Sequence, residues 1–172
     1  MNTQTVDFDH LNSLEGKSAV VAFLKCSGAQ KWSDAMVSSR PFNGLQDLRD
    51  KSEAAWSKLN HQDWLEAFSS HPKIGDVNSL REKFASTAAW ARGEQQSVSH
   101  APEQVLHGLS DANKRYEEKF GHIFIVCATG KSAQQMLRML EIRLQNEPGL
   151  EFAIACGEQK KITLLRLEKL TA

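Results

Sequence analysis

Residues 122–128 read His-Ile-Phe-Ile-Val-Cys-Ala, an apolar run rich in β-branched side chains and without polar alternation. On local propensity such a run is either a buried strand or an extended segment. The chain offers no second strand candidate, so a sheet has nothing to pair with. The run is therefore predicted as buried extended chain or a short helix, and helices must supply the rest of the fold.

Helical patterning is found on both sides of it. Downstream, Gly130-Lys131-Ser132-Ala133-Gln134-Gln135 contains Ser-x-x-Gln, the start of a capping box. Ala133, Met136, Leu137, Leu140 and Leu144 follow at helical spacing, Asn146-Glu147-Pro148-Gly149 makes a turn, and a last helix reaches about Leu170. Upstream, Pro102 suits a first helical turn, and Val105, Leu109, Ala112, Tyr116 and Phe120 run down one face to Gly121. Earlier still, Ser79 is a candidate cap for a helix carrying Leu80, Phe84, Ala88 and Ala91. Asp63 is a candidate N-cap for the short helix with Trp64, Leu65 and Phe68. Leu45 to Leu59, Trp32 to Val37, and a first region from Leu11 to Leu24 closed by Ser27-Gly28 complete the pattern. About eight helices with short connections and no long linker or repeat predict an all-α fold, a bundle in one domain over residues 1–172.

Whole-chain properties exclude several classes. Lys plus Arg and Asp plus Glu each total 21, giving a net charge of zero, whereas nucleic-acid coats and anionic-lipid binders carry a basic excess. Neither nucleic acid nor membrane is expected as a partner. No apolar run of about 18 residues is present, and Met1 to His10 lacks the basic start and apolar core of a secretory signal. Cys26, Cys127 and Cys156 are an odd, scattered set, which predicts reduced thiols and a cytoplasmic setting. Leu170-Thr171-Ala172 is not a peroxisomal address. There is no Walker loop, no Gly-x-Gly-x-x-Gly and no paired Cys/His ligand spacing, so nucleotide and metal have no local support.

Four features carry candidate chemistry. His71 continues the apolar stripe of Trp64 and Phe68, and Pro72 disfavours helix at the residue before it, so the helix should end near His71. Gly75-Asp76 then turns the chain. His71 is either a hydrogen-bonded core residue or a catalyst. Glu94 and Gln95 extend the stripe of Phe84, Ala88 and Ala91; either they face inward, or Gly93 ends the helix and both face water. The segment ending in Ala128-Thr129-Gly130 places backbone N–H groups ahead of a capped helix, a setting that suits an anion or a carbonyl-rich ligand. Arg143 and Arg166 are the fourth feature. Arg166 interrupts the stripe of Ile162 and Leu170, and suits either a two-pronged carboxylate contact or a structural acid such as Glu94.

Taken together these residues resemble the 2-oxo-4-hydroxy-4-carboxy-5-ureidoimidazoline (OHCU) decarboxylases of urate breakdown. The likeness is carried by His71-Pro72-Lys73-Ile74-Gly75-Asp76, Trp90-Ala91-Arg92-Gly93-Glu94-Gln95, and Phe124-Ile125-Val126-Cys127-Ala128 followed by Gly130-Lys131-Ser132. Arg143-Leu144-Gln145-Asn146-Glu147 and Arg166-Leu167 complete it, in order over nearly the whole chain.

The resemblance implies an all-helical, cofactor-free enzyme, commonly a homodimer, that converts a small ureidoimidazoline carboxylate into (S)-allantoin. It also implies His71 as the catalytic acid/base and Glu94 as a residue that holds the substrate; beyond the likeness, Glu94 is expected to orient and polarise His71. By the same likeness Pro72, Ala91, Gln95 and Arg166 contact the substrate, and the backbone of Phe124, Ile125, Val126, Cys127 and Ala128 lines its pocket. Ala91 stands where many members carry serine, and a peroxisomal ending common in eukaryotic members is missing. Loss of carbon dioxide leaves electrons that an enolate can hold, so no metal or cofactor is required. A histidine titrates near neutral pH, as general acid/base work needs. The competing reading is a non-catalytic helical binding module in which His71-Pro72 is a structural turn. A helix-turn-helix nucleic-acid binder needs a basic stripe that the chain lacks.

Overall fold

A computed structural model of the chain describes residues 8–72, 77–82 and 102–171. Eight complete helices occur among them: α1 (Phe8–Ser13), α2 (Gly16–Ser27), α3 (Gln30–Ser38), α4 (Leu45–Trp56), α5 (His61–Ser69), α6 (Glu103–Phe120), α7 (Ala133–Arg143) and α8 (Pro148–Leu170). Residues 77–82 are also helical, and the described residues contain no strand. The fold is all-α, as the patterning predicted. The chain divides into two compact units, Met1–His71 with Cys156–Ala172, and Pro72–Ala155.

The first unit is built on aromatic packing. Phe23, Trp32, Met36, Phe42, Leu48, Trp56 and Leu167 are buried together. Trp32 stacks on Trp56 at 5.3 Å, and Trp56 stacks on Trp64 at 4.4 Å. Each such pair is worth about 0.5–1.5 kcal/mol beyond its buried area. The stack therefore fixes α5 through Trp64, and α5 in turn presents His71.

Three local expectations change here. The region expected as one helix from Leu11 to Leu24 is two, broken at Leu14-Glu15, where the Leu14 carbonyl accepts the Arg40 guanidinium at 2.6 Å. The face that α2 buries is Ala19, Phe23 and Cys26, while Val21 is 53% exposed. Asp63 is not the N-cap of α5. Asn60 is: its side chain accepts from the Asp63 N–H, and Asp63 reaches back to the Asn60 N–H at 2.8 Å, a reciprocal capping box. Ser79 lies inside helical residues 77–82 rather than at their start.

Gly28 joins α2 to α3 and closes α2 with φ +78°. A Cβ at Gly28 would lie 2.2 Å from Ser70 Oγ and 2.3 Å from Ser70 Cβ, one residue before His71. Left-handed strain and overpacking act together, so Gly28→Ala is expected to lower stability by about 2–4 kcal/mol. Urea unfolding checks this, and a loss under about 1 kcal/mol would show that Ser70 has room to move.

The second unit packs α6 on α7 around Leu106, Leu109, Ala112, Tyr116, Met136 and Leu140. Tyr116 and Phe120 lie on the predicted face of α6, and Gly121 closes that helix. Pro102 is the N-cap, one position before the first helical turn. Ser132 and Gln135 form the expected capping box at the start of α7.

Residues 123–128 are neither helix nor strand, and Phe124, Ile125 and Cys127 are buried. No strand lies beside them among the described residues, and two of their carbonyls are bound by side chains instead. Arg143 Nη1 donates to the Ile125 carbonyl and Lys131 Nζ to the Cys127 carbonyl, both at 2.7 Å. Two cations thus satisfy two of the segment's buried carbonyls. Helix α8 contributes Pro148–Ala155 to the second unit and its remainder to the first.

Candidate functional site

Helix α5 ends as Pro72 demands. The His71 N–H donates to the Phe68 carbonyl at 3.2 Å, a tightened last turn, and the exposed Pro72 then leaves the helix. His71 is half-buried, and its ring Nε2 lies 2.6 Å from Gln159 Oε1 on α8. Gln159 is completely buried, and its amide Nε2 donates to Thr163 Oγ1 at 3.1 Å. Thr163, also completely buried, donates its hydroxyl proton to the Cys26 carbonyl at 3.2 Å.

This chain of bonds has a direction. Cys26 sits in the last turn of α2, where carbonyls lack helical partners and the helix dipole is negative. That carbonyl can only accept, so Thr163 donates to it and receives from the amide side of Gln159. Gln159 therefore turns its carbonyl oxygen to His71, and His71 carries a proton on Nε2. In the neutral ring the lone pair is then on Nδ1.

Arg166 joins the same terminus. Its Nη1 donates to the Lys25 and Cys26 carbonyls, each at 3.3 Å, which places the cation at the negative end of α2. Among the described residues no carboxylate pairs with it. Arg143 is different. It is buried, donates through Nε to Glu151 at 2.7 Å, and also bonds the Ile125 carbonyl. Glu151 is completely buried and also accepts from the Tyr116 hydroxyl and from Asn146 at 2.9 Å. The Arg143 guanidinium is thus committed to structure, whereas the bonds of Arg166 are to helix-terminal carbonyls.

The segment from Phe124 to Ala128 belongs to the second unit. While its Ile125 and Cys127 carbonyls are bound, the backbone N–H groups of Phe124, Ile125, Val126 and Ala128 have no partner among the described residues. Glu94, Gln95 and Ala91 lie outside the described residues, as do Lys73 to Asp76. Among the described residues no three His, Cys, Asp or Glu side chains group to hold a metal ion, and no helix is long and apolar enough to cross a membrane.

Gln159, Thr163 and Glu151 were missed in the sequence. A signal for two of them exists: Ala155, Gln159, Thr163 and Leu167 recur every four residues, so two polar side chains interrupt a buried stripe. Nothing local distinguishes Glu151 from an ordinary first-turn acid.

Two of the cysteines are held in the protonated form by burial. Burial pushes the Cys26 thiol from 9.0 up to about 11, with Arg166 pulling partly the other way. Burial likewise pushes Cys156 up to about 11, opposed by Lys160. In both cases the fold favours the protonated thiol, so their stabilisation is complete below pH 9 and is lost as pH rises through the folded value. Resistance to urea should therefore fall between pH 9 and pH 11, and Cys26→Ala should flatten part of that slope. A midpoint that stays level over this range contradicts the assignment.

An all-helical chain in which a histidine and an arginine meet on one hydrogen-bonded line at a helix end is the class that fold and site define. Comparison supplies the family. The OHCU decarboxylase family profile matches residues 12–168, and the chain belongs to that family. It is 36% identical over 149 residues to the uric acid degradation bifunctional protein TTL of Arabidopsis thaliana. That match takes in 84% of this chain but spans only 45% of the length of the plant protein. It is 27% identical over 158 residues to the 2-oxo-4-hydroxy-4-carboxy-5-ureidoimidazoline decarboxylase of Haloferax volcanii, covering 91% of each. A crystal structure of OHCU decarboxylase in the presence of (S)-allantoin matches with a TM-score of 0.70 at 34% identity, over 92% of this chain and 99% of that one.

Proposed function

We propose that this protein decarboxylates 2-oxo-4-hydroxy-4-carboxy-5-ureidoimidazoline to (S)-allantoin in urate catabolism. The observation that carries this reading is the family match, which runs from residue 12 to residue 168. The fully covered solved relative crystallised with (S)-allantoin supports it.

The substrate bears its hydroxyl and carboxylate on ring carbon 4 and its ureido group on carbon 5. Breaking the bond from carbon 4 to the carboxylate releases carbon dioxide. The electron pair stays on the ring, spread over carbons 4 and 5 and the imine nitrogen, which takes up a proton. Loss of the hydroxyl proton then turns carbon 4 into a carbonyl, and a proton delivered to carbon 5 makes the new C–H bond. His71 handles these last two transfers, with Nδ1 as the basic nitrogen because Nε2 is held by Gln159. Delivery from one fixed face gives a single enantiomer.

Glu94 orients His71 in this reading, and by family resemblance Glu94, Pro72, Ala91 and Gln95 contact the substrate. Arg166 holds an anionic or carbonyl group, because Arg143 is committed to Glu151. Backbone N–H groups of Phe124 to Ala128 serve as donors to developing negative charge, a role worth about 3 kcal/mol per donor. The N–H groups of Phe124, Ile125, Val126 and Ala128, which have no partner among the described residues, support this part of the reading. By resemblance the enzyme works as a cofactor-free homodimer. A cytoplasmic setting suits its three free cysteines.

Carbon dioxide release tests the reaction. Substrate is generated in place from urate with urate oxidase and hydroxyisourate hydrolase, and gas evolution is followed with and without the protein. Acceleration is the expected result; an unchanged rate overturns the proposal.

A further inference from the structure

We propose that Gln159 is a positioning residue that fixes the tautomer and ring orientation of His71, with Thr163 and the Cys26 carbonyl setting the direction of the Gln159 amide. The inference rests on the decarboxylase reading for its kinetic consequence, though not for its structural content. Three observations carry it. Gln159 is completely buried on α8, where an unpaired amide would be costly, so its two ends must both be placed. Its oxygen meets His71 Nε2 at 2.6 Å, a short contact for a neutral amide. Its nitrogen is held by Thr163, whose own proton goes to a helix-terminal carbonyl that cannot donate.

Reversing any one bond in this series would set two acceptors or two donors face to face. The arrangement therefore permits one tautomer of neutral His71. For a histidine that must take one proton and return one, which nitrogen holds the lone pair decides whether the base faces its target. A carboxylate in the position of Gln159 would also hold Nε2–H. The amide does so without placing a full charge next to the ring.

The test joins nitrogen NMR with kinetics on the full chain. In wild-type protein the His71 ring, assigned by comparison with His71→Asn, is expected as the Nε2–H tautomer at alkaline pH. Gln159→Leu removes the acceptor at similar volume. It is expected to give a tautomer mixture and a kcat lower by about tenfold, with KM nearly unchanged. Gln159→Glu restores an acceptor and should recover part of that kcat. Thr163→Val, a shape-conserving change that frees the amide to flip, should give the same mixture more weakly. It also serves if Gln159→Leu does not fold. If Gln159→Leu or Thr163→Val folds and leaves the His71 nitrogen signals and kcat as in wild type, the proposal is overturned. Because the NMR result needs no substrate, it stands apart from the decarboxylase reading. A wild-type protein with fixed His71 and no turnover would sink that reading alone.

Discussion

His71→Asn is expected to lower kcat by about a hundred- to ten-thousand-fold, the usual contribution of a positioned general acid/base, while the protein stays folded. Asparagine keeps an amide near Gln159 Oε1 and can still end α5 before Pro72, so the first unit keeps its packing. Trp64 and Phe68, which anchor α5, are unchanged. Near-ultraviolet circular dichroism of the stacked tryptophans reports the fold, and initial rates report the chemistry. A non-catalytic binding module predicts the opposite pairing: a melted first unit and no specific activity to lose.

Arg143→Leu is expected to cost about 3–5 kcal/mol of stability, because it leaves the buried Glu151 carboxylate without its cation. It also orphans the Ile125 carbonyl, so the segment 123–128 loses one of its two side-chain anchors. Tyr116 feels the same change. Burial and the bond to Glu151 hold its hydroxyl well above the ordinary phenol range, while Arg143 pulls in the other direction. The double variant Arg143→Leu, Glu151→Leu should recover much of the loss, since replacing both charges removes the uncompensated one. Urea titration measures both. A single variant within about 1 kcal/mol of wild type would show that Arg143 is not a structural residue. Arg166→Leu makes the contrast: Arg166 pairs with no described carboxylate, so its loss should lower activity far more than stability.

These two predictions mark where the sequence was legible and where it was not. The run 122–128 had strand propensity but no partner, and that single absence correctly excluded a sheet. The same run did not reveal its anchors, because Arg143 is eighteen residues away and becomes a neighbour only when α7 folds. The end of α5 just before His71 was legible because Pro72 acts locally, within one residue. The Asn60 cap was misplaced by three positions: Asn60 and Asp63 bond each other reciprocally, and the acid nearer the apolar stripe drew the assignment. Gln159 and Thr163 needed a contact 88 residues from His71 to acquire meaning. Spacing can show that a polar side chain is buried, but only the fold shows what it bonds. The roles of Glu94 and Gln95 rest on resemblance, since both lie outside the described residues.

The most direct measurement is circular dichroism of allantoin formation from substrate generated in place, with no protein, wild-type protein and His71→Asn. Rapid growth of a single-enantiomer (S)-allantoin signal is expected with wild type. Slow, racemising background is expected with His71→Asn. A slow signal without enantiomeric excess in the presence of folded wild-type protein would contradict the decarboxylase reading.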